Sequence, residues 1–266
     1  MDPAAMMDFF GFTTGEVERM VLIMTRLSGL FMAAPFFSRN VGPRRIRVIL
    51  LMWITVVLYP IVPPWPGEGN GDIIRMMFTG LVELFIGAMV GMIAHWVLVS
   101  VQVAGTMIGF EMGLSMAMVM DPTSGVQEGV LSNLLYLLGL MLFLIIDGHH
   151  WLLEGIARSF VSMPLGNPLP YGESMITLVI QGIVHMFELA LLLASPVIAA
   201  AKLLYLGMGL INRASPQIQV FFLAMPIAQM MGFLILGLTL SIFGQRLMRE
   251  MELFMNLAFR VVGLTP

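Results

Sequence analysis

The chain has 266 residues, 59% of them hydrophobic and 11% charged, with a mean hydropathy of +0.94. That is far more apolar than an average soluble domain, so the sequence reads as a membrane protein or something built like one. A net charge of −3 with only 13 scattered Lys and Arg residues argues against a nucleic-acid surface, and the absence of cysteine excludes disulfides, thiolate metal sites, Cys nucleophiles and iron–sulfur clusters.

The chain opens on MDPAAMMDFFGFTTGEVE, which is acidic and lacks the basic n-region and small-residue cleavage pattern of a secretory signal. The first apolar segment is therefore expected to stay in the mature protein. Apolar segments follow at Val17 to Phe37, Ile46 to Val62, Ile73 to about Val101, Val130 to Ile146, Met175 to Ala201 and Ile218 to Phe243. With roughly 20 residues needed per span, they read as six helical passages. Arg26, Glu83, His95, Glu188 and Lys202 fall within or at the edges of these segments. A charge at bilayer depth is costly, so each should face protein or water. Pro35, Pro60, Pro196 and Pro226, with Gly87, Gly91, Gly207, Gly209, Gly232 and Gly237, should kink or break the helices.

The connections SRNVGPRR, PPWPGEGNGD, PLGNPLPYGES and NRASPQ are short and rich in turn residues. Arg39, Arg44, Arg45 and Arg47 place the first loop on the cytoplasmic side. Six crossings would then put the C-terminus outside, although Arg246, Arg249 and Arg260 carry the same inside signature. The conflict predicts hairpins that do not cross, including one in the stretch from Gly105 to Asp121 and one near the segment flanked by Lys202 and Arg213.

Enzymatic motifs are missing: there is no GxSxG, P-loop or GxGxxG. In DGHHWLLE, His150 and Glu154 would lie one helical turn apart and could share an ion. The pattern is not HExxH and no other His-rich segment supplies a third ligand. It reads as a helix ending at Asp147-Gly148 with its histidines in a polar turn, and no metal or cofactor is expected. The most unusual stretch is GFEMGLSMAMVMDPTSG, where Met112, Met116, Met118 and Met120 crowd around a break at Asp121-Pro122. Methionine is unbranched and polarizable, and suits a surface that must re-pack around changing contents. Met20, Met24 and Met230 read instead as ordinary substitutes for Leu. Gly105, Gly109 and Gly113 recur every four residues and offer a face for close backbone approach, while Gly87 and Gly91 offer a second. The methionines would then be a pliant tip on a tightly packed stem.

Taken together and in order, RLSGLFMAAPFFSRNVGPRRIR, QVAGTMIGFEMGLSMAMVMDPTSG, DGHHWLL and INRASPQIQVFFLAMPIAQMMGF resemble the flagellar FliR family of type III secretion export-gate proteins, over nearly the whole chain. The resemblance implies an all-α, polytopic membrane-type fold of bent, Pro/Gly-broken helical hairpins. It implies a single export-gate domain over 1–266, with about 1–210 FliP-like and 211–266 a FliQ-like hairpin. It also implies a non-enzymatic channel subunit in the bacterial inner membrane at the flagellar basal body. Its partners would be FliP-type and FliQ-type subunits, FlhB-type and FlhA-type neighbours and unfolded export substrates. The family's closing plug maps onto about Gly109 to Gly125, with Phe110, Met112, Met116, Met118, Met120, Asp121 and Pro122, beside the close-packing positions Gly105, Gly109 and Gly113 read from their spacing. Glu83 and Glu188 read as structural polar contacts. The competing reading is a small-solute or ion transporter using Glu83, His95 and Glu188. It lacks a pair of corresponding interrupted segments in the two halves, and its polar residues do not converge in sequence.

Overall fold

The computed structural model describes residues 13–34, 44–67, 72–114, 129–167, 173–215 and 220–263. Among the described residues there are seven α-helices and no strand: α1 (Thr14–Ala33), α2 (Arg44–Leu58), α3 (Ile73–Glu111), α4 (Val130–Ile145), α5 (Gly148–Ser162), α6 (Glu173–Ala214) and α7 (Val220–Val261). The protein is all-helical and of membrane type. Three helices, α3, α6 and α7, are long and apolar enough to cross a membrane, and α4 with α5 would make a fourth as one broken span. The six expected passages are thus only an approximate count. The 15 residues of α2 rise about 22 Å, short of a bilayer's hydrocarbon thickness.

The helices also run past their apolar segments. On α7 the continuation buries Leu247, Met251, Phe254, Met255 and Ala258, whose spacing paints one helical face. A charged outer side therefore does not stop the helix. Pro196 and Pro226 lie inside α6 and α7, which continue through them instead of breaking there. Gly105 and Gly109 likewise remain within α3, so the predicted hairpin cannot begin at Gly105. At the other end of the chain α1 starts with a capping box. Thr13 Oγ1 accepts from Glu16 N–H, Glu16 accepts from Thr13 N–H at 2.8 Å, and the latter bond holds the Glu16 carboxyl below the usual carboxylate range.

Two compact units divide the chain. One comprises residues 1–95, 147–182 and 252–266; the other comprises 96–146 and 183–251. The first is organised around a fully buried ion pair. Arg26 Nε donates to Glu83 Oε2 at 2.5 Å, Nη1 donates to Ser159 Oγ at 3.1 Å and Nη2 to the Met163 carbonyl at 3.0 Å. The guanidinium lies 4.3 Å from the Phe160 ring centroid. Glu83 uses its second oxygen to accept the Gly166 N–H at 3.2 Å. One side-chain pair thereby joins α1, α3, α5 and the turn after α5.

Around this pair α1 and α3 approach at backbone distance. A Cβ on Gly29 would strike the Leu84 carbonyl, one on Gly87 would strike the Arg26 carbonyl, and one on Gly91 would come within 2.9 Å of Leu30 O and Ala34 N. One glycine of α1 and two of α3 thin the seam, which lets the Arg26 side chain reach Glu83. At the other side of the unit, Gly155 of α5 makes room for the Phe259 ring, and Ser162 Oγ donates to Val262 O at 2.6 Å.

These contacts carry two predictions. Gly87→Ala should destabilise the detergent-solubilised protein, by about 1–3 kcal/mol or more, because the obstacle is backbone and cannot swing away. Gly209→Ala, with nothing within 4 Å of the new methyl, should leave thermal unfolding unchanged or raise it slightly. Glu83→Leu strands a buried guanidinium and should cost about 3–5 kcal/mol, whereas Arg26→Met combined with Glu83→Leu should recover much of that loss. Denaturant unfolding of the single and double variants checks the second prediction; a double variant as unstable as Glu83→Leu would refute it.

Candidate functional site

The most constrained site in the second unit is the C-terminal end of α3, where the methionine-rich stretch begins. The helix stops at a left-handed glycine: Gly113 has φ +73°, Leu114 N donates to Gly109 O at 2.9 Å, and Gly113 N donates to Phe110 O at 3.0 Å. This paired-bond stop satisfies carbonyls that the last turn would otherwise leave open. Gly113 is therefore a helix terminator and has only an ordinary neighbour, Met225 Cγ at 3.7 Å from a built Cβ. Gly105 and Gly109 are buried on α3, and a Cβ on Gly105 would lie 2.6 Å from Ser132 Cα of α4. The two helices are thus nearly in backbone contact at the point where the chain leaves α3 and returns to α4.

Two further helices hold this end. From α6, Lys202 Nζ donates to Glu111 Oε1 at 2.6 Å, and Tyr205 Oη, one turn later, donates to the Glu111 backbone carbonyl at 2.8 Å. Lys202 therefore lies within a continuous helix, since its charge has a partner and need not mark a segment end. From α7, Gly232 receives Met112. A Cβ there would fall 2.5 Å from Met112 Cγ and 2.7 Å from Sδ, and Met112 itself is 1% exposed. Met112 is thus a buried anchor within the chain, while Phe110, 64% exposed, points outward from the last turn. Met116, Met118, Met120, Asp121 and Pro122 lie outside the described residues.

The remaining sequence candidates fall elsewhere. Glu83 belongs to the buried pair in the first unit. Glu188 on α6 is two-thirds exposed and meets His185 Nδ1 at 3.2 Å, while His185 Nε2 meets the buried Glu250 of α7 at 3.1 Å. At DGHH, α4 does end before Asp147, which adopts φ 56°, but the histidines occupy the first turn of α5 and not a free turn. Asp147, His149 and His150 bring one ligand atom each within 4.8 Å of one another, a donor set suited to a divalent transition metal. The adjacent carboxylate, Asp147, would be the third ligand atom of such a set, where the sequence spacing offered His150 with Glu154. Asp147 and His150 are about two-thirds exposed, and Asp147 Oδ1 is 3.3 Å from His150 Nδ1.

The Met112–Gly232 contact is testable by a double-mutant cycle. Gly232→Val should destabilise by about 1–3 kcal/mol through overpacking, and Met112→Ala in the same chain should offset part of it, because the smaller side chain vacates the occupied volume. Strict additivity in thermal or denaturant unfolding would show that the two positions do not touch.

The chain matches the bacterial export proteins, family 1, across residues 17–254. It is 28% identical over 224 residues to the flagellar biosynthetic protein FliR of Bacillus subtilis, covering 84% of this chain and 86% of that relative. The flagellar biosynthetic proteins FliR of Escherichia coli and of Pectobacterium carotovorum are each 30% identical, over 213 and 220 residues, with coverage of 79% and 82% of both chains respectively. A match reaching from α1 to far along α7, with relatives aligned over four-fifths of their length, makes the protein a member of the bacterial export protein family 1 to which the FliR proteins belong.

Proposed function

We propose that the chain is a non-enzymatic channel subunit of the flagellar type III export gate, and that residues 109–125 close the channel at rest and yield to an unfolded export substrate. The observation that carries this reading is the clamped end of α3. Four helices meet where the methionine-rich stretch begins, with α6 capping the helix carbonyl, α7 receiving Met112, and α4 packed against Gly105. A closure needs such a root, because a pliant segment excludes ions only if its attachment holds still. Met116, Met118 and Met120 would supply the pliant seal, Phe110 an apolar rim, and Asp121-Pro122 the turn that returns the chain.

On the same reading the subunit assembles in the bacterial inner membrane with FliP-type and FliQ-type proteins, with FlhB-type and FlhA-type neighbours. Its exposed apolar surface is extensive, from Leu203, Leu206 and Leu210 on α6 to Leu234 and Leu238 on α7, and would be shared between lipid and these subunits. The transporter alternative asks Glu83 to exchange protons or ions. Both its carboxylate oxygens are already engaged, by Arg26 and by the Gly166 N–H, which favours a structural role.

Replacing Met116, Met118 and Met120 together with Ala should make cells expressing the assembled complex leak ions and small solutes, while the complex still assembles. Membrane conductance and small-solute uptake measure this. Unchanged conductance in an assembled triple variant would sink the closing role, and a failure of the chain to co-purify with two small membrane partners would sink the gate reading as a whole.

A further inference from the structure

We propose that the cavity between α6 and α7 at His185, Glu188, Arg246 and Glu250 is a binding site for a phospholipid with an ethanolamine headgroup. The cavity measures about 360 Å³ and is floored by Leu189, Leu191 and Leu192. Its position follows from the charge pattern of both helices. Residues 220–245 of α7 contain no Asp, Glu, Lys or Arg, and Arg246 and Glu250 come directly after them. On α6, residues 189–201 are likewise uncharged and begin just after His185 and Glu188. On α7 the change from apolar to charged falls at this cavity, and on α6 Glu188 is the single Asp, Glu, Lys or Arg between residues 174 and 201; the end of the apolar run on α7 marks the depth at which lipid headgroups sit.

Some of the polar atoms at the cavity are closed within the protein and others face outward. Glu250, with its side chain 7% exposed, is held by His185 Nε2 at 3.1 Å and by Arg246 Nε at 3.2 Å. That leaves both terminal nitrogens of Arg246, which is 45% exposed, without a partner among the described residues, in the fork that suits a phosphate. Glu188 uses one oxygen on His185, and its carboxylate is 67% exposed, so its other oxygen is available to an ammonium. A phosphodiester on Arg246, a primary ammonium on Glu188 and an acyl chain along the leucines complete every group at the cavity. The glycerol of phosphatidylglycerol carries no positive charge and offers Glu188 only a neutral hydroxyl donor. A choline headgroup has the charge but no N–H to donate.

Native mass spectrometry of the full-length chain, extracted from bacterial membranes in detergent and offered phosphatidylethanolamine, phosphatidylglycerol and phosphatidylcholine of identical acyl chains, tests the proposal. Phosphatidylethanolamine should be retained about tenfold over either competitor, the size of one charged hydrogen bond. Glu188→Gln should erase the preference over phosphatidylglycerol. Arg246→Lys, which keeps the charge beside Glu250 but loses the fork, should weaken both lipids several-fold. Leu192→Trp, at a half-exposed position that fills the groove without touching a charge, should abolish retention with unchanged thermal unfolding. Equal retention of the three lipids, retention indifferent to these substitutions, or competition by soluble phosphoethanolamine at the lipid's own concentration would each overturn it.

Discussion

The Arg26–Glu83 pair sets the terms for the first unit. Both side chains are wholly withdrawn from solvent in a chain whose surroundings are almost entirely apolar, so neither can be left with an open donor or acceptor. The solution is complete: Glu83, Ser159 and the Met163 carbonyl take the guanidinium edge, Phe160 takes its face, and Gly166 N–H takes the second carboxylate oxygen. Those partners come from separate parts of the sequence, with Arg26 lying 57 residues from Glu83 and 133 from Ser159. A slip of α5 relative to α1 by one residue would leave a buried charge short of partners. Apolar contacts tolerate such slips, since leucine against leucine is much the same in neighbouring registers, so the polar pair supplies the specificity that the oily faces cannot.

The glycines serve this constraint. Gly29, Gly87 and Gly91 draw α1 and α3 together until backbone meets backbone, and that closeness brings Arg26 within hydrogen-bond reach of Glu83. A similar economy operates in the second unit at Gly105 against Ser132 and at Gly232 against Met112. Here the roles of small and soft residues are complementary: the glycine removes volume on one helix, and the methionine of another fills it with an unbranched side chain that can follow the groove.

Much of this was legible in the sequence, and the exceptions share a cause. Composition gave the membrane-type helical class, and the place of Glu83 in an apolar run gave its need for a donor. The identity of that donor could not be read, because nothing in sequence links residues 57 apart. The four-residue glycine period continued past the end of α3, so Gly113 looked like one more member of a packing face; the same letter serves a helix face and a helix stop, and only φ distinguishes them. Lys202 looked like a boundary because a lone cation in an apolar run is costly, yet Glu111 lies 2.6 Å away from across the unit. Asp147 was correctly a break, but the chain resumes helical structure at once, and two histidines that a turn would have displayed now ride on α5. In each case the local pattern was read correctly and its context changed its meaning: a tertiary partner at Glu83 and Lys202, the backbone turn itself at Gly113 and Asp147.

The closed carbonyls at the end of α3 have a mechanical consequence. A helix C-terminus leaves its last carbonyls open, and many helices depend on the following segment to close them. Here Leu114 and Gly113 N–H groups close two, and the Tyr205 hydroxyl closes that of Glu111 from a different helix. Lys202, set against Glu111, adds positive charge where the helix dipole is negative. None of these bonds draws on residues 115–128. The helix is thus finished before the methionine-rich stretch begins, and a change in the course of that stretch does not require α3 to unwind. A hinge that keeps these bonds falls after Leu114, while Gly113, whose missing side chain permits the left-handed turn, stays part of the helix stop. A root whose own hydrogen bonds are already closed is what the proposed closure needs, since a segment that must yield to a passing polypeptide should do so without carrying its own support along with it.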